Sequence, residues 1–292
     1  MVLYHFWLLS MFIISTFSSA LPFYGIDYGI NIYSCPSLDH VRNDFAALRN
    51  YTNRIRIFGL ALCNQGALAL QASQELGMRL YVGMWMDGNE QSFQQELAEL
   101  TTLMDHFSMD NVDGIIVGSE VLYRKDASLQ FLLQSIDHVR EITAHRGIPI
   151  TNADTFDRIT PELADHLDFV MINIFPYWEG VPIEKAADTL IDHYYEVVNR
   201  IGNSKRVRIS ETGWPSSGPD FRDAVASLEN QSRYLRQVLC RTRSQGIDMF
   251  WFSAMDEPYK QGVEAHFGLF KFGHGPLVRY ETLSDDVCSN SQ

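Results

Sequence analysis

Val112 to Glu120 reads VDGIIVGSE, a short β-branched run closed by a glycine, a serine and a carboxylic acid. Its length and its turn-forming flanks predict a buried strand with chemistry at its end. Seven further segments are built alike: FYGIDYG (23–29), RIRIFG (54–59), MRLYVGMW (78–85), IPITNAD (148–154), LDFVMINIF (167–175), RVRISE (206–211) and DMFWFSAM (248–255). Between them lie stretches such as SLDHVRNDFAALRNY, SFQQELAELTTLMDHF and DASLQFLLQSIDHVREITAHR, whose apolar residues recur three and four apart, as on an amphipathic helix. Strand and helix alternate about every 30 residues, which predicts parallel βαβ units. Eight such units close into a (β/α)8 TIM barrel of the α/β class. The alternative is an open doubly wound sheet, but its G-x-G-x-x-G phosphate loop is missing from the sequence. No linker or composition break divides the chain, so residues 21–292 are read as a single domain.

The 292 residues are 46% hydrophobic and 12% aromatic, enough for a large core, and carry a formal charge of −13. That charge excludes a phosphate-binding nucleic-acid partner and disfavours an anionic membrane surface. A neutral sugar polymer is compatible with it. Residues 1–20 read as a signal peptide: an apolar run from Val2 to Phe17 ends in Ser18-Ser19-Ala20, with a membrane anchor as the alternative. The expected location is secreted and extracellular, with no membrane contact after cleavage, and the mature protein is expected to be a monomer. The tail DDVCSNSQ has no apolar run for a lipid anchor, so retention in a cell wall is expected through polysaccharide binding. Cys35, Cys63, Cys240 and Cys288 allow three pairings; locality favours Cys35–Cys63 and Cys240–Cys288. Asn50 and Asn230 are candidate glycosylation sites.

In a barrel of this kind the strand ends build the active site. They deliver Asp27 and Tyr28, then Ser119 and Glu120, then Asn152 and Asp154, then Asn173, Tyr177 and Trp178, then Glu211 before Trp214, and last Asp256, Glu257 and Lys260. Glu120 and Glu211 follow the fourth and seventh strands, on roughly opposite sides of the mouth. Cleaving a glycosidic bond needs such a pair, one carboxyl to protonate the leaving oxygen and one beneath the anomeric carbon. Tyr28, Trp85, Tyr177, Trp178, Trp214 and Tyr259 offer flat faces for sugar rings, although Trp85 and Trp251 also suit packing, and Asp256-Glu257 also suits a solvated turn. Asp110 and Asp113 lack EF-hand spacing, and no metal site or cofactor is expected; H-E-x-x-H and G-x-S-x-G do not occur.

These residues carry a resemblance. ISETGWPSSG, VGSEVLYR, NIFPYWEG, AMDEPYK, EAHFGLF and LCNQGALAL are similar to blocks of glycoside hydrolase family 17, in particular its fungal β-1,3-glucanases and glucanosyltransferases, from about Tyr24 to Cys288. The resemblance implies a retaining enzyme acting on β-1,3-glucan, with Glu211 as nucleophile and Glu120 as acid/base. It also implies that Glu257 and Lys260 join the polar network around the pair. Tyr28, Ser119, Asn173, Tyr177, Trp178 and Trp214 are the expected substrate-binding residues, with Gly213 letting the chain turn before a Trp214 that walls a subsite. Retention predicts carboxyl groups about 5–5.5 Å apart, against about 6.5–9.5 Å for inversion.

Two departures stand out. Ser119 occupies the position of an Asn expected to hold the sugar 2-hydroxyl, and Leu62 stands where fungal relatives often carry Asp. The alternatives are therefore a β-1,3-glucan transglycosylase, a glucan-binding wall protein with catalysis weakened by Ser119, and a hydrolase of another polysaccharide.

Overall fold

The computed structural model describes residues 21–271, 274–276 and Cys288. In chain order the elements are β1 (Gly25–Asp27), α1 (Leu38–Leu48), β2 (Arg54–Arg56), α2 (Gln65–Leu76), β3 (Arg79–Met84), α3 (Glu90–His106), β4 (Val112–Ser119), α4 (Val121–Arg124), α5 (Leu129–Thr143) and β5 (Ile150–Thr155). They continue with α6 (Pro161–Asp165), β6 (Val170–Asn173), α7 (Pro176–Glu179), α8 (Ile183–Arg200), β7 (Val207–Thr212), α9 (Leu228–Ser244), β8 (Met249–Trp251), β9 (Phe270–Lys271) and β10 (His274–Pro276). Strands β1 to β8 pair in sequence order, all parallel, and β8 returns to β1 to close the barrel. β9 and β10 form a separate antiparallel pair. The expected (β/α)8 barrel is the fold observed.

Side chains alternate across each strand, and the burial follows that period. Leu80 and Val82, Ile115 and Val117, Val170 and Ile172, and Met249 and Trp251 belong to the large core between strands and helices. Their neighbours Tyr81, Ile116, Met171 and Phe250 instead join Ala153 and Phe169 in a second cluster that fills the barrel. The aromatic rings there meet edge to face, Tyr81 on Phe250 at 5.1 Å and on Phe169 at 6.1 Å. Beneath them, at the strand starts, Asp113 accepts hydrogen bonds from Arg54 and Arg79, so this carboxylate clamps β2, β3 and β4. Several helices begin where the sequence supplies an oxygen cap: Ser37, Asn89, Ser128, Thr160 and Ser227 each accept a backbone N–H from the first turn.

The alternation breaks where the chemistry sits. In the β4–β5 ladder Ile116 faces Thr151 but Ser119 faces Ala153, one residue more on β4 than on its partner. In the β6–β7 ladder Ile172 faces Ile209 but Asn173 faces Glu211, again with one extra residue on the strand that ends in the acid. Each is a bulge, and a bulge re-aims the side chains after it. On β4 it is made at Gly118, whose φ of 75° suits a residue without a Cβ.

Strand β8 is shorter than the expected 248–255 because Phe252 onward leaves the ladder toward the mouth. Disulfides join Cys35 to Cys63 and Cys240 to Cys288, the pairing that locality favours. Asn50 is exposed, whereas the Asn230 amide donates to Val225 O. The expected signal peptide, residues 1–20, lies outside the described residues; among those described, no helix is long and apolar enough to cross a membrane.

Gly213, expected to let the chain turn, is not among the glycines with positive φ, and close approach accounts for it. A Cβ there would lie 2.1 Å from the carbonyl oxygen of Phe252. Gly213→Ala must push β7 from β8, so a loss of about 1–3 kcal/mol is expected. Thermal unfolding measures it, and an unchanged midpoint would show that the two strands have slack.

Candidate active site

Arg56, at the end of β2, is almost fully buried and was not singled out by its sequence. Its Nη1 donates to Glu211 Oε1 at 2.7 Å, to the Ser210 carbonyl at 3.1 Å and to Asp27 Oδ1 at 3.4 Å. Its Nη2 donates to Ser119 Oγ at 3.0 Å, and Ser119 in turn donates to Glu211 Oε1 at 3.1 Å. One guanidinium thus joins β1, β2, β4 and β7, and its charge answers that of Glu211. A buried carboxylate at a strand end is tolerable because this cation and this hydroxyl replace its water. Asp27 is fully buried, and burial pushes its carboxyl well above the usual range despite Arg56.

Glu120 lives differently. It follows β4 with a φ of 57°, a left-handed conformation that costs a non-glycine residue roughly 1–3 kcal/mol and collects at functional sites. Its carboxyl is pushed up to about 7, first by burial and next by the charge of Glu211. Asn173 Nδ2 donates to Glu120 Oε1 at 3.0 Å, and Ser210 Oγ fixes the same amide by donating to Asn173 Oδ1 at 2.6 Å. Asn173 is also the register partner of Glu211, and adjacent strands lie about 4.7–4.9 Å apart. Asn173 thus binds one acid through its amide and neighbours the other through the strand ladder. Asp154, pushed up to about 6 by burial, accepts the backbone N–H groups of Leu122, Tyr123 and Thr155 and so fixes the short helix after Glu120.

Both acids line one cleft of about 1740 Å³, together with Ser119, Asn173, Trp178, Glu257 and Lys260. Glu257 accepts hydrogen bonds from Tyr259 Oη at 2.6 Å and Lys260 Nζ at 2.7 Å, so it is buried in a paired network and not a solvated turn. Trp85 and Trp178 are exposed in the cleft. Three expected binding residues do not reach it. Trp214 is buried against Tyr177 and Tyr234 with its indole N–H on Val225 O; Tyr177 is buried with its hydroxyl on Pro219 O. Their aromatic mass fills the packing under the rim, so they support the wall without forming it. Tyr28 donates to Asp44 at 2.7 Å and lines a separate cavity of about 230 Å³. Leu62, by contrast, is an exposed part of the cleft rim.

Residues 25–268 match the family described as the BtgE/BtgC glycoside hydrolase domain. A glucan 1,3-beta-glucosidase of Schizosaccharomyces pombe is 31% identical over 252 residues, covering 80% of this chain and 78% of that protein. The glucan endo-1,3-beta-glucosidase btgC of Emericella nidulans is 31% identical over 268 residues and 82% of this chain. The chain spans only 37% to 41% of the length of such endo-glucosidases. Among solved structures it is similar to a glycoside hydrolase family 17 β-1,3-glucanosyltransferase from Rhizomucor miehei. That match has 50% identity and a TM-score of 0.84, over 87% of this chain and 95% of that one. An active-site mutant of the same Rhizomucor enzyme in complex with laminaritriose matches at 49% identity and a TM-score of 0.85, with the same coverage.

Arg56→Met keeps most of the bulk and removes the charge. Two buried carboxylates, Asp27 and Glu211, then face each other without a cation, and breaking such a pair costs about 3–5 kcal/mol. A carboxyl whose folded pKa lies above its unfolded value, as for Asp27, opposes folding increasingly as pH rises. Melting experiments should therefore show a larger loss at about pH 7 than at about pH 5. Equal losses at both would mean that shape, and not charge, is what Arg56 supplies.

Proposed function

The chain belongs to glycoside hydrolase family 17, and from that premise we propose that it is a retaining enzyme of β-1,3-glucan, with Glu120 as acid/base and Glu211 as nucleophile. The observation that carries this is the contrast between two carboxyls in one cleft. One is held against a guanidinium; the other is desolvated and pushed up to about 7. That is the division of labour glycoside cleavage requires, an ionised group at the anomeric carbon and a protonated one at the leaving oxygen.

In the first step Glu211 attacks the anomeric carbon while Glu120 gives its proton to the glycosidic oxygen. In the second, Glu120 takes a proton from the incoming hydroxyl, whose oxygen displaces Glu211 with the configuration retained. Asn173 holds Glu120 through both steps, because its own amide is fixed by Ser210. Trp178 and Trp85 offer exposed rings to the sugar, and the Glu257–Lys260 pair supplies polar contacts along the same cleft. The laminaritriose held by the Rhizomucor relative supports a β-1,3-linked chain as the occupant. Transfer to a second glucan is the other reading of the same site, and the 50% identity to a glucanosyltransferase favours it. The bonds made by Ser119 to Arg56 and Glu211 speak for an intact site rather than a sugar-binding relic. Two disulfides support an oxidising, extracellular compartment; recovery of the protein in the medium or the wall fraction would test that.

Glu120→Gln should slow cleavage of laminari-oligosaccharides by about 10²–10⁴, and Glu211→Gln should abolish it while sugar binding survives. Full turnover in either variant would remove the assignment. Chromatography of the products separates the two readings, since products longer than the substrate mean transfer.

The acid must be protonated to act, so activity should fall as pH rises through about 7, the value to which burial and Glu211 bring Glu120. A kcat/KM profile flat from about pH 6 to pH 9 would contradict Glu120 as the proton donor.

A further inference from the structure

We propose that Ser119 is a positioning residue that sets the balance between the two half-reactions by holding one oxygen of Glu211. The inference rests on the reading of Glu211 as nucleophile. Both donors that reach this carboxylate, Arg56 Nη1 and Ser119 Oγ, fall on Oε1. Among the described residues no donor bonds Oε2. The two oxygens are thereby distinguished, and Oε2 is the one left to meet the anomeric carbon.

The electron count then assigns Ser119 its effect. When the C1–Oε2 bond forms and the glycosidic C–O bond breaks, Oε1 becomes the ester carbonyl oxygen and loses most of its negative charge. Hydrogen bonds to it weaken. When water or a sugar hydroxyl attacks C1, the C1–Oε2 pair returns to Glu211, Oε1 regains charge and the same bonds strengthen. Donors on Oε1 thus stabilise the departing carboxylate and speed breakdown of the intermediate more than its formation. Arg56 is held by three further partners, Asp27, Ser119 and the Ser210 carbonyl. The hydroxyl of Ser119 has one hydrogen, and it goes to Glu211. Serine is also short: with its oxygen between guanidinium and carboxylate, it is committed to the nucleophile and not to the sugar. The bulge on β4 brings it there, since regular alternation from Ile116 would turn residue 119 away from the barrel interior.

The test is pre-steady-state kinetics of the purified chain on a dinitrophenyl β-laminaribioside, whose good leaving group makes breakdown the slower step. In Ser119→Ala breakdown should slow roughly tenfold, formation should change less, the burst should approach one aryl group per active site, and KM should drop. Ser119→Thr, which keeps the hydroxyl, should recover the wild-type ratio. If the alanine variant does not fold, Ser119→Cys, with its weak donor, should shift the ratio in the same direction. Equal slowing of both steps, or no change in either, would overturn the role of Ser119 while leaving the nucleophile in place. A wild type that releases no aryl group would instead overturn the glucan-active reading itself, and this inference with it.

Discussion

The charge on Arg56 is the constraint around which the mouth of the barrel is arranged. A guanidinium that is almost wholly buried needs acceptors in fixed directions, and its two terminal nitrogens find them on β1, β4 and β7, while its Nε has no partner among the described residues. Each acceptor gains as well. Glu211 is desolvated without losing its counter-charge, Ser119 is oriented, and the carbonyl of Ser210, bared where β7 bulges, receives a donor. Asp27 brings a second carboxyl to the same guanidinium, and its second oxygen has no partner among the described residues. Replacing the arginine therefore disturbs four strands at once. A lysine would bring one compact charge and lack the planar fork that meets these acceptors together.

Around that cation the two acids differ by what the backbone does with them. Glu211 is carried inward by an extra residue on β7, onto the cation. Glu120 is carried past the end of β4 into a left-handed turn, beyond the reach of Arg56, with the neutral amide of Asn173 as its partner. A neutral donor can hold either protonation state of a carboxyl in place, whereas a guanidinium favours the charged one. The amide that holds Glu120 and the cation that holds Glu211 are thus not interchangeable, although each gives its carboxyl a hydrogen bond of ordinary length.

Much of this was legible in the sequence and some of it was not, for identifiable reasons. Eight β-branched runs alternating with amphipathic stretches dictate the barrel, because only burial of both strand faces accounts for them. Glu120 and Glu211 were legible because a carboxyl that closes an apolar strand is unusual. Arg56 was not. In RIRIFG it stands two residues from Arg54, which is half-exposed and binds Asp113 at the opposite end of the barrel, and nothing local tells the two apart. The aromatics misled in one direction. Tyr177 and Trp214 adjoin the site in sequence, but their rings pack away from it, since a strand end fixes where a backbone leaves and not which way its next side chains turn. Bulges, which decide that direction, leave no pattern in composition or period.

The outer part of the cleft is held by a different device. Glu96, on α3, is buried and accepts the backbone N–H groups of Leu60, Ala61 and Trp85. Its three donors come from the loops after β2 and β3, so a single side chain ties two rim segments to a helix outside the barrel. Burial pushes its carboxyl up, and the three N–H groups act against that. The ring of Trp85 is thereby presented at the surface with the guanidinium of Arg124 over its face at 4.9 Å, in the short helix that follows Glu120. Strand-end chemistry alone would leave the acids exposed to water from every side. The rim segments pinned by Glu96, together with the Cys35–Cys63 bond beside them, turn a barrel mouth into a groove with walls.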